Sequence, residues 1–386
     1  MVLNETHDDN SKVMDAAPNA TDSSSFPSIS LNPETAYWVC TVVYFVIGLI
    51  GNALVFPLMN DVKFSSLSYP VYLMFMAVSD SAVLIIYCIH LSLRFFKSFH
   101  IIGKYVAACR IWMFLMTSVN LLSPWLVVGL TVDRFYCVVF PLTRDRFCTR
   151  RKAKIVCTSL ATLAILLNLP LLEGVKTVEK SDGCFVENHI VIYVAFMRLV
   201  ITSNLPCLLI LILNIVIGIR IQRSVTFRKR FTSTSSGSRE NKLDKSLLPL
   251  ILISMLAFLT TLPSSIVDTV VGVLIVTKSD LNSLVTVAKF VLPFNFVYMI
   301  NFGQNFYILM ASSANYRNVI KRKLNYCKSM YLQEEGVSQL RVPVQIPNTD
   351  DARPSVTELN TRSFSRTDST PVATSDAGGG FRNESE

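Results

Sequence analysis

Residues 109–141 read CRIWMFLMTSVNLLSPWLVVGLTVDRFYCVVFP. From Ile111 to Val132 the stretch carries no charge and has enough apolar length to cross a bilayer. Its ends differ in chemistry, with Cys109 at one and Asp133-Arg134 at the other. Twenty-five residues lead from Cys109 to Arg134. At ~1.5 Å per residue that is roughly 37 Å of helix, more than the hydrocarbon thickness, so the two ends reach opposite faces of the membrane.

The positive-inside rule orients the stretch. Just beyond Arg134 come Arg144, Arg146, Arg150, Arg151, Lys152 and Lys154, with Asp145 as the acid among them. That end is expected in the cytosol, and Cys109 on the oxidising side, where a disulfide persists. Composition agrees: 51% of the residues are hydrophobic and 16% charged, the balance of a membrane protein rather than a soluble globule. The net charge of +9 does not point to nucleic acid, because the basic residues gather beside apolar spans, where they set topology.

Residues 1–35 are polar and acidic and lack the apolar core of a cleavable signal peptide. They read as a disordered extracellular tail whose sequons offer Asn4 and Asn19 for glycosylation. Seven apolar spans follow, near 36–59, 69–93, 108–139, 153–173, 190–219, 246–277 and 284–310. The expected fold is therefore an all-α membrane protein, a seven-transmembrane helix bundle over 36–310. A short basic loop near 220–245 separates spans five and six. Tyr316, Val319, Ile320 and Leu324 then recur at helical spacing, giving a short amphipathic eighth helix over 311–330. Near its end Cys327 carries either a reversible acyl chain or an unmodified thiol. Residues 331–386 are rich in Ser, Thr, Pro and Gly and read as a disordered cytosolic tail. Its candidate phosphosites, Ser355 to Thr370, suit a receptor kinase and arrestin.

Of nine cysteines, Cys109 and Cys184 fall at or beyond the outer rim, so they are expected to pair. Such a bond would tether the loop near 174–189 across the top of span three.

The ordered set of motifs resembles the rhodopsin-like (class A) G-protein-coupled receptors. It comprises seven spans, the cysteine pair, Asp133-Arg134-Phe135 followed by Pro141, and Gly51-Asn52 in span one. Met76-Ala77-Val78-Ser79-Asp80 in span two, Pro170, Pro206, Pro263 and Asn305 complete it. The resemblance implies a plasma-membrane receptor that binds an extracellular ligand and activates a heterotrimeric G protein. Asp133, Arg134 and Phe135 would form the G-protein switch. Pro206 and Pro263 would bend spans five and six.

Asp80 is a buried mid-span acid and needs partners. Asn52, Ser123, Asn301 and Asn305 lie at similar depth. In the resemblance such a cluster holds a sodium ion; a protonated Asp80 in a hydrated network is the alternative. Several positions depart from the family pattern. Thr261 stands for the usual tryptophan of span six, Leu309 and Asn214 for tyrosines of spans seven and five, and Leu243 for an acid facing Arg134.

Met116 stands where receptors for amines carry an aspartate, and Met299 where opsins carry their lysine, so neither amine nor retinal is expected. The polar or pocket-facing positions in the outer halves are His90, Met116, Asn120, Arg198, Asp268, Asn295 and Tyr298. Arg198 and Asp268 either meet a ligand or pair with each other. With an acidic outer tail and a tethered lid, a short basic or amidated peptide is the leading ligand class. The SPWLVVGLTVDRF stretch is similar to peptide receptors of the FMRFamide-receptor type. A receptor for a non-peptide small molecule and a multi-span transporter or channel are the alternatives, though no internal repeat marks the latter. Four histidines, of which His90 lies in a span, and no nucleophile–base pair argue against an enzyme.

Overall fold

The computed structural model describes residues 32–98, 100–178, 183–231, 241–277 and 281–339. Asn4, Asn19, the Ser/Thr run at 232–238 and the tail phosphosites lie outside them. The chain forms one unit as far as Ser329; a second begins at Met330, and its described residues, 330–339, are helical.

Span one runs Pro33–Met59. Asn32 caps it by accepting from the Glu34 N–H, and Pro33 fits the first helical position, where no N–H is needed. Span two is Tyr69–Phe95 and span three Val106–Val139. Span four is Arg150–Asn168, capped by the Thr149 hydroxyl accepting from the Lys152 N–H. Span five consists of Asn188–Phe196, a wide π-helical segment Met197–Asn204, and Leu205–Phe231. Span six is Asn241–Val276 and passes through Pro263 as one helix. Six of these described helices are long and apolar enough to cross a membrane. Large apolar side chains such as Ile50, Ile85, Ile111, Leu166, Ile215 and Leu259 stay exposed on them, as a lipid-facing surface requires. The loop expected over 220–245 is helical as far as Phe231 and again from Asn241, because the flanking basic residues continue the helical pattern of both spans.

Span seven, expected as one helix, is two: Leu281–Ile300 and Asn305–Ser312. Between them the N–H groups of Asn301, Phe302 and Gly303 bond three residues back, to Tyr298, Met299 and Ile300, before the α pattern resumes with Ile308 N–H to Gln304 O. Such a break inside a membrane needs new partners for its backbone. Span one supplies them. The Tyr44 hydroxyl donates to Ile300 O at 2.7 Å and the Asn52 amide to Phe302 O at 3.0 Å, while Tyr307 donates back to Ile47 O at 2.8 Å.

The eighth helix runs Ala314–Gln339, so residues 331–339, expected in the tail, are helical. Near its start it is tied to the loop after span one. Arg322 pairs with Asp61 at 2.7 Å and Lys63 Nζ bonds Asn315 at 3.2 Å. Burial works against the Asp61 carboxylate, but the Lys63 backbone N–H and the Arg322 guanidinium outweigh it and hold the group below its ordinary range.

At the Cys109 end, Cys109 and Cys184 are disulfide-bonded with Cα atoms 5.5 Å apart. Cys184 lies on β2 (Gly183–Val186), which pairs antiparallel with β1 (Val175–Val178). Arg110 donates to the carbonyls of Val175 and Glu173 and so holds the hairpin's base.

The closeness of spans one and seven depends on Gly48 and Gly303. A Cβ on Gly303 would lie 2.7 Å from the Tyr44 hydroxyl and 2.9 Å from Gly48 Cα. Gly303→Ala should therefore cost about 1–3 kcal/mol through overpacking. Gly218→Ala meets nothing within 4 Å and should be neutral or stabilising. Thermal unfolding of the solubilised protein compares the two, and equal midpoints would contradict this account of the break.

Candidate functional site

Three polar groups occupy successive depths of the bundle. At the Asp133 end, Arg134 makes an ion pair with Asp133, its Nε lying 3.1 Å from Oδ2, and both side chains are buried. Ser68 completes the group: its hydroxyl donates to Asp133 Oδ2 at 2.8 Å and accepts from Arg134 Nη2 at 3.0 Å. Ser68 stands at the cap position of span two, yet its side chain makes no capping bond, because the hydroxyl is committed to the ion pair. The guanidinium also lies over the Tyr69 ring, 5.2 Å from its centroid, a cation–π contact. The Tyr69 hydroxyl is 3.2 Å from that of Tyr316 in the eighth helix. Phe135 takes no part in these bonds; its ring packs edge-on to Tyr136 and Phe140.

Sequence reasoning missed Ser68, Tyr69 and Tyr316. The available signal was Ser68-Tyr69-Pro70, a cap residue with an aromatic at the mouth of a span whose neighbour ends in Asp-Arg.

At mid-depth Asp80 is fully buried. Ser123 donates to its Oδ1 at 2.5 Å and Asn305 to its Oδ2 at 2.9 Å. The other two expected partners are engaged elsewhere. Asn52 bonds the carbonyl of Phe302, and Asn301 accepts from Gln304 at 3.3 Å. Both were drawn away by the break in span seven, whose freed backbone and turn they serve. The departures from the family pattern have local roles too. Leu309 is buried in the main core, Asn214 accepts from Ser254 at 2.9 Å to join spans five and six, and Thr261 bonds Ala257 O within its own helix.

Near the disulfide end, Arg198 Nη2 pairs with Asp268 Oδ1 at 2.9 Å, joining spans five and six. The Arg198 side chain remains 68% exposed, against 24% for Asp268, so the guanidinium faces open space while holding its partner. Both lie within electrostatic reach of the Tyr87 and Tyr298 phenols. The pair thus stands among spans two, five, six and seven.

The π-helical segment that carries Arg198 is held by side chains. Thr202 and Asn204 donate to Met197 O and Leu199 O, each five residues back, Trp125 of span three donates to Ile201 O, and Asn204 accepts from Ser265 of span six. The segment ends just before Pro206, which has no N–H to continue a regular ladder. Of the remaining pocket candidates, His90 stacks near Trp112, with centroids 6.3 Å apart. Asn120 donates within its own helix to Met116 O. Asn295 and Met116 are half-buried, and Asn295 lies one turn before Tyr298.

The arrangement is a stack of polar contacts between helices, one group open towards the disulfide end and one closed over an arginine at the other.

Among known proteins, the chain is 23% identical over 344 residues to a QRFP-like peptide receptor of Branchiostoma floridae, covering 83% of this chain and 89% of that one. It is 28% identical over 198 residues to the neuromedin-U receptor 1 of Homo sapiens, covering 47% and 45%. It is 25% identical over 160 residues to the cysteinyl leukotriene receptor 1 of Sus scrofa, covering 39% and 44%. Residues 51–305 match the family described as 7 transmembrane receptor (rhodopsin family). With the bundle, the tethered hairpin and the Asp133–Arg134 pair in place, the chain belongs to the rhodopsin family of seven-transmembrane receptors.

Proposed function

We propose that the chain is a plasma-membrane receptor, N-terminus outside, that takes a short extracellular peptide and activates a heterotrimeric G protein. The observation that carries this reading is the latch on Arg134. A buried guanidinium held by Asp133, Ser68 and the Tyr69 ring is a resting contact that a second state can break. A charge-assisted hydrogen bond is worth about 1.5–3 kcal/mol, so its loss shifts a two-state population roughly ten- to a hundredfold. Release would present Arg134 to the G protein. Ser68 and Tyr69 do part of the restraining work that Leu243, in place of an acid, cannot supply by charge.

A peptide is favoured by the two relatives named for peptides, by the hairpin lid and by the acidic outer tail. The exposed Arg198 guanidinium suits a terminal carboxylate or amide of such a ligand, and Asp268 a basic side chain. A carboxylated lipid is the second reading, favoured by the same open guanidinium and by the relative named for a leukotriene. The cytosolic tail would serve a receptor kinase and arrestin once phosphorylated. Cys327 would carry an acyl chain on the eighth helix.

Asp80 and Ser123 also suit a small monovalent cation: a buried carboxylate and a hydroxyl are hard oxygen donors, and a buried Asn52 Oδ1 without a hydrogen-bond partner stands in the same layer. A sodium ion there would neutralise the Asp80 charge and favour the resting state.

A library of amidated and free-acid peptides, with carboxylated lipids alongside, should be applied to cells displaying the full chain, with G-protein activation and arrestin recruitment read together. A peptide response that Arg134→Ala abolishes while binding survives is expected; unchanged signalling in that variant would remove Arg134 from the mechanism. Ser68→Ala should raise ligand-free nucleotide exchange at least about tenfold by deleting both hydrogen bonds of its hydroxyl to the pair.

Exchanging the charges tests the pocket. Arg198→Asp and Asp268→Arg should each weaken binding of the selected ligand, and the double variant should recover the fold of the pocket without the ligand's original charge preference. Full recovery of preference would mean the pair does not touch ligand. Raising sodium should lower agonist affinity in the native chain and leave Asp80→Asn unaffected; equal sodium dependence in both would exclude Asp80 as the site.

A further inference from the structure

Cys137 lies one helical turn beyond Arg134, and Cys148 immediately precedes Thr149, the cap of span four. Their Sγ atoms are 2.7 Å apart, and Cys148 Sγ is also 3.5 Å from the Asp133 carbonyl. Cys137 is buried and Cys148 half-buried, so one sulfur of the pair remains within reach of small reagents. From this juxtaposition we propose that Cys137 and Cys148 are a reversible dithiol–disulfide site on the cytosolic face, oxidised by small peroxides and reduced by cellular thiols. The cytosolic placement rests on the receptor reading above; the pairing does not.

A metal centre fits less well. With Asp133 the two thiols make a candidate ligand group, but two sulfurs bound to one tetrahedral zinc at ~2.3 Å stand about 3.8 Å apart. Here they are closer, and the Asp133 carboxylate is already held by Arg134 and Ser68. A disulfide needs the gap to close by only about 0.7 Å.

The step balances as two thiols and one hydrogen peroxide giving one disulfide and two waters. The Cys148 thiolate attacks the peroxide and becomes a sulfenic acid with loss of hydroxide, which takes up a proton to become water. The Cys137 thiolate then attacks the sulfenic sulfur, forming the S–S bond and expelling hydroxide, which takes up the proton the Cys137 thiol released and leaves as the second water. The contact with Cys137, together with burial, holds the Cys148 thiol above the ordinary range, which slows its attack on peroxide. The product would staple the end of span three to the start of span four, beside the Arg134 latch.

The test uses the full chain in cell membranes, treated with hydrogen peroxide, then alkylated, digested and mapped. A Cys137–Cys148 cross-linked peptide that a dithiol reductant removes is expected, with the buried Cys157 and Cys207 still reduced. Amide exchange across 140–149 should slow several-fold on oxidation, and Cys148→Ser, a loop change that leaves the helices intact, should abolish both effects. Three outcomes would overturn the proposal: both thiols alkylated equally before and after peroxide, protection without a cross-link that a chelator releases, or slowed exchange that persists in Cys148→Ser. None of these measurements needs a ligand or a G protein, so a failed thiol pair and a failed receptor reading are distinguishable.

Discussion

A membrane interior supplies no water to an unpaired peptide group, and span seven breaks its own ladder in the middle. That constraint organises the neighbouring helices. Tyr44 and Asn52 of span one must point at the freed carbonyls, two glycines must let the backbones meet, and Asn301 and Gln304 must close the turn between the two halves. Once those groups are committed, Asp80 is left with Ser123 and Asn305 as its donors. The composition of the mid-depth polar group is thus decided by backbone accounting in a different helix.

This explains what could be read from the sequence. The seven spans were legible because apolar length is a one-dimensional property, and the pairing of Cys109 with Cys184 because topology places those two thiols at the same rim. Asp133 with Arg134 followed from the family resemblance, and Asp80 with Ser123 and Asn305 from burial of a charge at matching depth. That Asn52 and Asn301 bond to Phe302 and Gln304 rather than to Asp80 could not be read from depth, because the sequence offers no proline at the break in span seven to announce it. Ser68 escaped notice and Tyr316 was read only as part of the eighth helix's apolar face, because their contacts exist only where the start of span two, the end of span three and the eighth helix converge.

The positions that depart from the family pattern fall into the same account. Leu309 fills core volume, Asn214 reaches Ser254, and Thr261 bonds Ala257 O within its own helix. The Asp133–Arg134 pair is held by a hydroxyl and a ring of span two, so its partners lie on the span that precedes it in sequence.

The wide turns of Met197–Asn204 have a consequence for length. A π segment is an α-helix carrying a surplus residue, and each residue of an α-helix turns the chain by about 100°. Loss of one residue elsewhere in span five would rotate Arg198 away from Asp268 or Asn214 away from Ser254. Within this segment the surplus can be surrendered and both ends keep their bearings. It is the place where span five tolerates a change of length, and any alignment of this chain with a relative that lacks the wide turn should put its one-residue gap there.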